Sequence, residues 1–290
     1  MLLLKDFGST LKEINEDKLP ISKKIYFKNY KDDRLKIISL FSKSIESFSK
    51  YFKSIKPDLI IVLGDRYEIF SAVLAASFLK IPIAHFHGGE ITQGAIDEGI
   101  RHSITKLSHL HFCANIFYKK NIIQMGEYKK NVHNVGSIGL DKINVKKLLN
   151  RNKLERLINF NFKHKNILIT FHPVTLETIS SKKIFSNILK ALNQYKDIGM
   201  IFTYPNFDYD NSIISKMIKK YVKENHNNSM VYQSLGRFNY LSVMKNVNCV
   251  VGNSSSGIIE APFLKIPSIN IGSRQNGRIL SNSVINCSYS

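Results

Sequence analysis

Asp65, His87, Glu90, Asp97, Arg101 and His102 are drawn from a stretch of fewer than forty residues, 65–102. Three are carboxylates. Crowding carboxylates around one place raises the pKa of at least one, which is what general acid–base chemistry needs. Arg66 and Arg101 supply compensating positive charge. Glu98 reads as a helix-capping or surface carboxylate and is set apart. The spacing His85-x-His87-x-x-Glu90 also suits a metal, because residues two apart on a strand face the same way. Gly88 and Gly89 break the strand, however, and no cysteine completes a shell, so proton chemistry is preferred and no metal is expected.

A second stretch, 247–278, is suited to an anion. The apolar run 247–251 is followed by Gly252, Asn253, Ser254, Ser255, Ser256 and Gly257, with a helix expected from about 256 to 264. A helix N-terminus offers free N–H groups and partial positive charge, and the hydroxyls add donors. Glu260 lies a turn further on, where it can accept from ribose hydroxyls, and Arg274 and Arg278 can pair with phosphate oxygens. One serine would be explained as an N-cap. The whole run with Glu260 and two arginines reads as an anion site. A hydrolase nucleophile elbow needs G-x-S-x-G, and the spacing here is one residue too long. His172 ends the run 167–171, before Pro173 and Thr175, and is expected at a phosphate or leaving group rather than only in packing.

The elements that must hold these residues follow from periodicity. Strands are expected at 58–63, 83–86, 110–113 and 132–135, with helices at 35–52, 67–79, 97–107 and 118–125. The run LIIVLG is continuous, as in parallel strands buried on both faces. After GSIGLD (136–141) a charged helical linker, 142–157, leads to strands at 167–171, 199–203, 247–251 and 268–271. Helices at 182–193, 210–224, 240–245 and 256–264 alternate with them. The expectation is α/β: two doubly wound domains, 1–145 and 146–290, facing a cleft. Ligands in such sheets bind beyond the carboxyl ends of the strands, where the candidate residues fall. The first domain reads as incomplete, since no strand and Gly-rich turn open it and no G-x-G-x-x-G occurs.

Length and composition agree with two packed cores: 290 residues, of which 43% are hydrophobic. The net charge of +20 raises nucleic-acid binding, but no basic run carries interleaved aromatics, so solvated lysine-rich faces explain it better. Such a surface still attracts an anionic substrate. Cys113, Cys249 and Cys287 lie far apart, which argues against disulfides and fits a cytoplasmic setting. No apolar run approaches a membrane span, and MLLLKDFGST is too short and too soon charged for a signal peptide.

In order along nearly the whole chain, GDR, HFHGGE, IDEGIRHSITKLSH, QMGE, FHPVT, GNSSSG and SRQNGR resemble the hydrolysing UDP-N-acetylglucosamine 2-epimerases of sialic- and nonulosonic-acid biosynthesis. The resemblance implies two Rossmann-like domains of the GT-B type with a nucleotide sugar in the cleft. It implies hydrolysis of UDP-GlcNAc to N-acetylmannosamine and UDP, with inversion at C2 and no cofactor. It places Asp65, Asp97 and HFHGGE at the sugar, and Arg66, His172, Ser254, Ser255, Glu260 and Arg274 around UDP. The expected catalytic set is Asp65, His87, Glu90 and Asp97, and Arg101, His102 and Asn253 complete the expected substrate contacts. Position 87 is glutamate in some members of that family, so either His87 or Glu90 is expected to act as base. The family's opening strand with its Gly-Thr-Arg loop is missing, as are its last helices, so the chain reads as a fragment. Two alternatives remain: a UDP-2,4-diacetamido-2,4,6-trideoxyhexose 2-epimerase of legionaminic-acid synthesis, or an inactive nucleotide-binding fragment. Expected partners are a UDP-sugar and, in the intact enzyme, further copies forming a homo-oligomer, a dimer or a tetramer; neither nucleic acid nor membrane is expected.

Overall fold

The computed structural model describes residues 14–15, 17–25, 34–93, 96–174, 179–205 and 211–289, so Thr175 and Asp210 lie outside the described residues. The chain divides into two compact units, one holding Lys23–Ile143 with Asn276–Arg278, the other Asn144–Gln275 with Ile279–Ser290.

In the first unit α1 (Arg34–Ile55) precedes β1 (Ile60–Leu63), α2 (Tyr67–Phe78), β2 (Ile83–Phe86), α3 (Asp97–Leu107), β3 (Leu110–Cys113), α4 (Ile116–Gln124) and β4 (Val132–Asn134). The four strands are parallel and ordered β1-β2-β3-β4. Small residues on α2 (Ser71, Ala72, Ala75, Ala76) are buried and let it lie close to its neighbours, while Phe41 of α1 stacks on Phe70 at 5.7 Å between ring centroids. The expectation that β1 is covered on both faces is corrected: Val62 is buried, but Ile61 is 69% and Leu63 54% exposed. Among the described residues β1 is an edge strand, and only its inward-pointing side chains meet α1 and α2.

The second unit holds α5 (Arg151–Ile158), β5 (Lys165–Thr170), α6 (Ser181–Leu192), β6 (Ile198–Thr203), α7 (Asn211–Glu224), β7 (Ser229–Tyr232), α8 (Gly236–Asn246), β8 (Cys249–Gly252), β9 (Ser268–Ile271) and β10 (Val284–Cys287). All six strands are parallel, in the order β10-β9-β8-β5-β6-β7. Strand order therefore reverses between β5 and β8. The crevice beyond their carboxyl ends is the place where doubly wound sheets bind ligands.

Three local expectations are corrected here. The linker 142–157 is not one helix: a short turn of helix spans Ile138–Asp141, and α5 starts afresh where the Asn150 side chain accepts from the Lys153 N–H. The helix expected over 256–264 is a 3₁₀ turn, Ser255–Gly257, and a separate four-residue helix, Glu260–Phe263. β7 and β10 were not foreseen: β7 is four residues long, and β10 is an edge strand with Ile285 largely exposed, so neither carries a continuous apolar run.

Candidate functional site

In the first unit β1 and β2 end level with each other, Leu63 opposite Phe86. Gly64 and Asp65 leave one strand and His87 the other. His85 ties the two ends together. Its Nε2–H donates to the Gly64 carbonyl at 2.9 Å, and its Nδ1 lies 3.2 Å from the Thr105 hydroxyl. Burial holds the His85 pKa down at about 4, so its ring is neutral and structural. Between the ordinary value of 6.5 and about 4 the unfolded chain binds a proton that the folded chain does not. Stability should be full above that window and decline as the pH falls through it. Urea unfolding at about pH 7 and about pH 5 measures the slope. His85→Gln, which keeps a donor for Gly64, should flatten it, and an equally steep slope in that variant would refute the assignment.

His87 follows β2 with φ +64°, a left-handed conformation that few side chains adopt. The turn is completed by Gly89, also at positive φ, where a Cβ would collide with the Tyr118 carbonyl. The bend aims His87 Nδ1 at Glu90 Oε1, 2.9 Å away. The other oxygen, Glu90 Oε2, accepts from Arg278 Nη2, also at 2.9 Å. Burial pushes the Glu90 carboxyl up, but the His87 hydrogen bond and the charges of Arg278 and Arg101 together outweigh it, leaving the pKa below the ordinary value. Glu90 is therefore an ionised carboxylate behind the imidazole, 5% exposed. Arg278, expected at phosphate, is corrected to a partner of Glu90 because its segment, Asn276–Arg278, packs with the first unit.

Arg101 is also corrected. Its guanidinium, expected to contact substrate, is 1% exposed and occupied: it donates to Asp65 Oδ2, to the Glu90 carbonyl at 2.7 Å and to Thr92 Oγ1 at 3.0 Å. Asp65 is thus pinned from behind. Arg66 donates to Glu68 Oε2 at 3.2 Å and lies over the Tyr67 ring. Asp97 opens α3 as expected, and Glu98, set apart as a cap or surface group, instead accepts from the Thr92 N–H and steadies the same loop. His102 Nε2 is 4.0 Å from Glu98 Oε1, and partial burial lowers its pKa. Among the described residues no cluster of three His, Cys, Asp or Glu side chains could hold a metal, and no helix is long and apolar enough to cross a membrane.

In the second unit the candidates gather at the β5–β8 switch point. Gly252 ends β8 at φ +140°, where a Cβ would run into the Thr170 carbonyl, so only glycine allows the two strand ends to approach. Asn253 is completely buried, and its amide bridges the main chain of His172: Oδ1 accepts from the His172 N–H at 2.7 Å and Nδ2 donates to the His172 carbonyl at 2.8 Å. That corrects Asn253 from a substrate contact to a brace for His172, because its side-chain amide is already used. The Asn253 carbonyl in turn accepts from Arg274 Nη1 at 3.2 Å and Gln275 Nε2 at 2.7 Å, which draws the Arg274 segment onto the same rim. Ser254 and Ser255 lie half-buried on the loop, and Glu260 begins the short helix after it. Pro262 sits inside that helix, so the loop offers hydroxyls and arginine rather than a long helix dipole. Sequence reasoning passed over Tyr240, whose hydroxyl lies 2.7 Å from Ser256 Oγ, and Thr170, Thr203 and Gln275. Tyr240 lies in an otherwise ordinary helix, and no local pattern marks it.

The chain matches the family described as UDP-N-acetylglucosamine 2-epimerase over residues 3–290. It is 40% identical to the GDP/UDP-N,N'-diacetylbacillosamine 2-epimerase (hydrolyzing) of Campylobacter jejuni over 280 residues, which is 97% of this chain and 73% of that protein. It is 38% identical over 280 residues to the polysialic acid biosynthesis protein P7 of Escherichia coli, covering 96% of this chain and 71% of that one. Its fold resembles that of the UDP-GlcNAc 2-epimerase from Methanocaldococcus jannaschii, solved in complex with UDP-GlcNAc and UDP, with a TM-score of 0.73 at 20% identity, over 95% of this chain and 76% of that one. With the family match running over residues 3–290 and these relatives covered over most of their lengths, the chain belongs to the UDP-N-acetylglucosamine 2-epimerase family.

Proposed function

We propose that this protein is a hydrolysing UDP-sugar 2-epimerase that converts UDP-N-acetylglucosamine and water to UDP and N-acetylmannosamine. The observation that carries the reading is the chain His87–Glu90–Arg278, an imidazole backed by a buried, ionised carboxylate at the end of β2, beside an Asp65 pinned by Arg101. In the neutral ring, a carboxylate that accepts from Nδ1–H selects the tautomer whose free lone pair is on Nε2, the one a base uses. Of the two candidates for the base, His87 is favoured, because Glu90 has both oxygens engaged.

In this mechanism His87 takes the C2 proton while the C1–O bond breaks and its electron pair leaves with UDP. The C1=C2 intermediate then adds water: hydroxyl goes to C1, and a proton returns to C2 from the opposite face, with Asp65 and Asp97 as the carboxylates that handle it. The leaving diphosphate is held by Ser254, Ser255, Arg274 and His172 of the second unit, whose donors meet charge as it develops. Arg66 and Glu260 complete the nucleotide contacts. Three free cysteines suit a cytoplasmic setting.

The test is UDP release from UDP-GlcNAc in heavy water, with the product examined at C2. Deuterium at C2 of an N-acetylmannosamine product is expected, and a product that keeps the substrate's C2 proton would overturn the reading. The 40% identity to the Campylobacter jejuni enzyme favours a second reading, in which the substrate is a UDP-2,4-diacetamido-trideoxyhexose. The same assay on both UDP-sugars, compared by kcat/KM, decides between them.

A further inference from the structure

The second unit contains a run of hydroxyls that ends on the proposed diphosphate loop. Thr203 Oγ1 lies 2.6 Å from Thr170 Oγ1, and Thr170 Oγ1 lies 3.4 Å from the Tyr240 hydroxyl. Tyr240 is 2.7 Å from Ser256 Oγ, which donates to Ser254 Oγ at 3.1 Å. Ser254 Oγ also accepts from the Ser256 N–H at 3.4 Å.

Each hydroxyl has a single proton to donate and two lone pairs. Ser256 gives its proton to Ser254, so in the Tyr240–Ser256 pair the donor is Tyr240. Burial keeps the phenol pKa raised, so Tyr240 retains the proton it must donate. The same count makes Thr170 the donor to Tyr240 and Thr203 the donor to Thr170. With both lone pairs of Ser254 accepting, its own proton is left to point out of the chain. Every link runs one way, toward Ser254. Aligned hydroxyls polarise one another, which strengthens the last donor.

We propose that Tyr240 is a positioning residue for nucleotide binding: through Ser256 it fixes Ser254 as a proton donor aimed at a diphosphate. The inference rests on the assignment of the diphosphate to this loop, and the effect assigned to Tyr240 runs through Ser256. None of the motifs quoted above for the resemblance includes it.

The experiment is calorimetry with UDP and with uridine on the wild-type chain, Tyr240→Phe, Ser256→Ala and the double variant, with melting temperatures as a check on folding. Each single variant should weaken UDP binding by about three- to tenfold, the range for one lost hydrogen bond. Uridine, which lacks the diphosphate, should bind each variant as it binds wild type. The double variant should be no weaker than the worse single variant, because a chain already cut cannot be cut again. UDP affinity unchanged in Tyr240→Phe would overturn the role of Tyr240 and leave the epimerase reading standing. Parallel loss of UDP and uridine, or additive losses in the double variant, would reduce Tyr240 to a packing residue. A wild-type chain that binds no UDP would overturn this inference together with the diphosphate assignment.

Discussion

Replacing Arg101 with methionine should destabilise the protein by about 3–5 kcal/mol, the range for removing one member of a buried ion pair. Methionine roughly fills the space but donates nothing. Asp65 would lose its counter-charge, and the Glu90 carbonyl and the Thr92 hydroxyl would lose donors at 2.7 and 3.0 Å. Arg101→Lys should recover little, because a single ammonium does not reproduce a planar fork that serves three acceptors at once. The measurement is denaturant unfolding of both variants beside wild type. A loss below about 1 kcal/mol for Arg101→Met, the scale of a surface pair, would mean that the cluster is not held by this side chain. Because Arg101 also pins Asp65, turnover should fall further than the unfolding curve alone accounts for.

His87→Asn should lower kcat by about 10²–10⁴-fold, the usual contribution of a positioned base. Asparagine is chosen because it tolerates the left-handed backbone that His87 adopts at φ +64°. The turn should therefore survive, with UDP affinity and melting temperature close to wild type. Glu90→Gln should act differently. The amide oxygen can still accept from His87, but Arg278 loses its carboxylate, so a smaller fall in kcat should come with a measurable loss of stability. Steady-state kinetics with calorimetry on UDP distinguishes the two variants. If Glu90→Gln proved the more damaging to kcat while His87→Asn turned over normally, the base would be Glu90 and His87 its neighbour.

Much of this was legible from the residues alone. Parallel strands in α/β sheets deliver their chemistry at carboxyl ends, so Asp65 after β1, His87 after β2, His172 after β5 and Asn253 after β8 could be located from apolar runs and the polar residues just beyond them. The motifs also determined the family, because their order is specific even where single motifs are weak. The break in the helix expected over 256–264 had a visible cause in Pro262, which lacks the N–H of a helix interior. Only the tertiary structure decided which charged or polar groups are consumed inside the protein. Arg101 and Asn253 have the right chemistry for substrate contacts, yet both are buried, with their hydrogen bonds taken by neighbours in the fold. Arg278 and Glu90 lie far apart in the chain and meet because Asn276–Arg278 packs with the first unit. The Tyr240 hydroxyl chain is likewise invisible in sequence, since it joins α8, β5, β6 and the loop after β8. Sequence periodicity reports which face of an element is apolar; it carries no record of which polar partner from a distant segment arrives there, and in a low-dielectric interior that partner sets both the charge state and the role of the group.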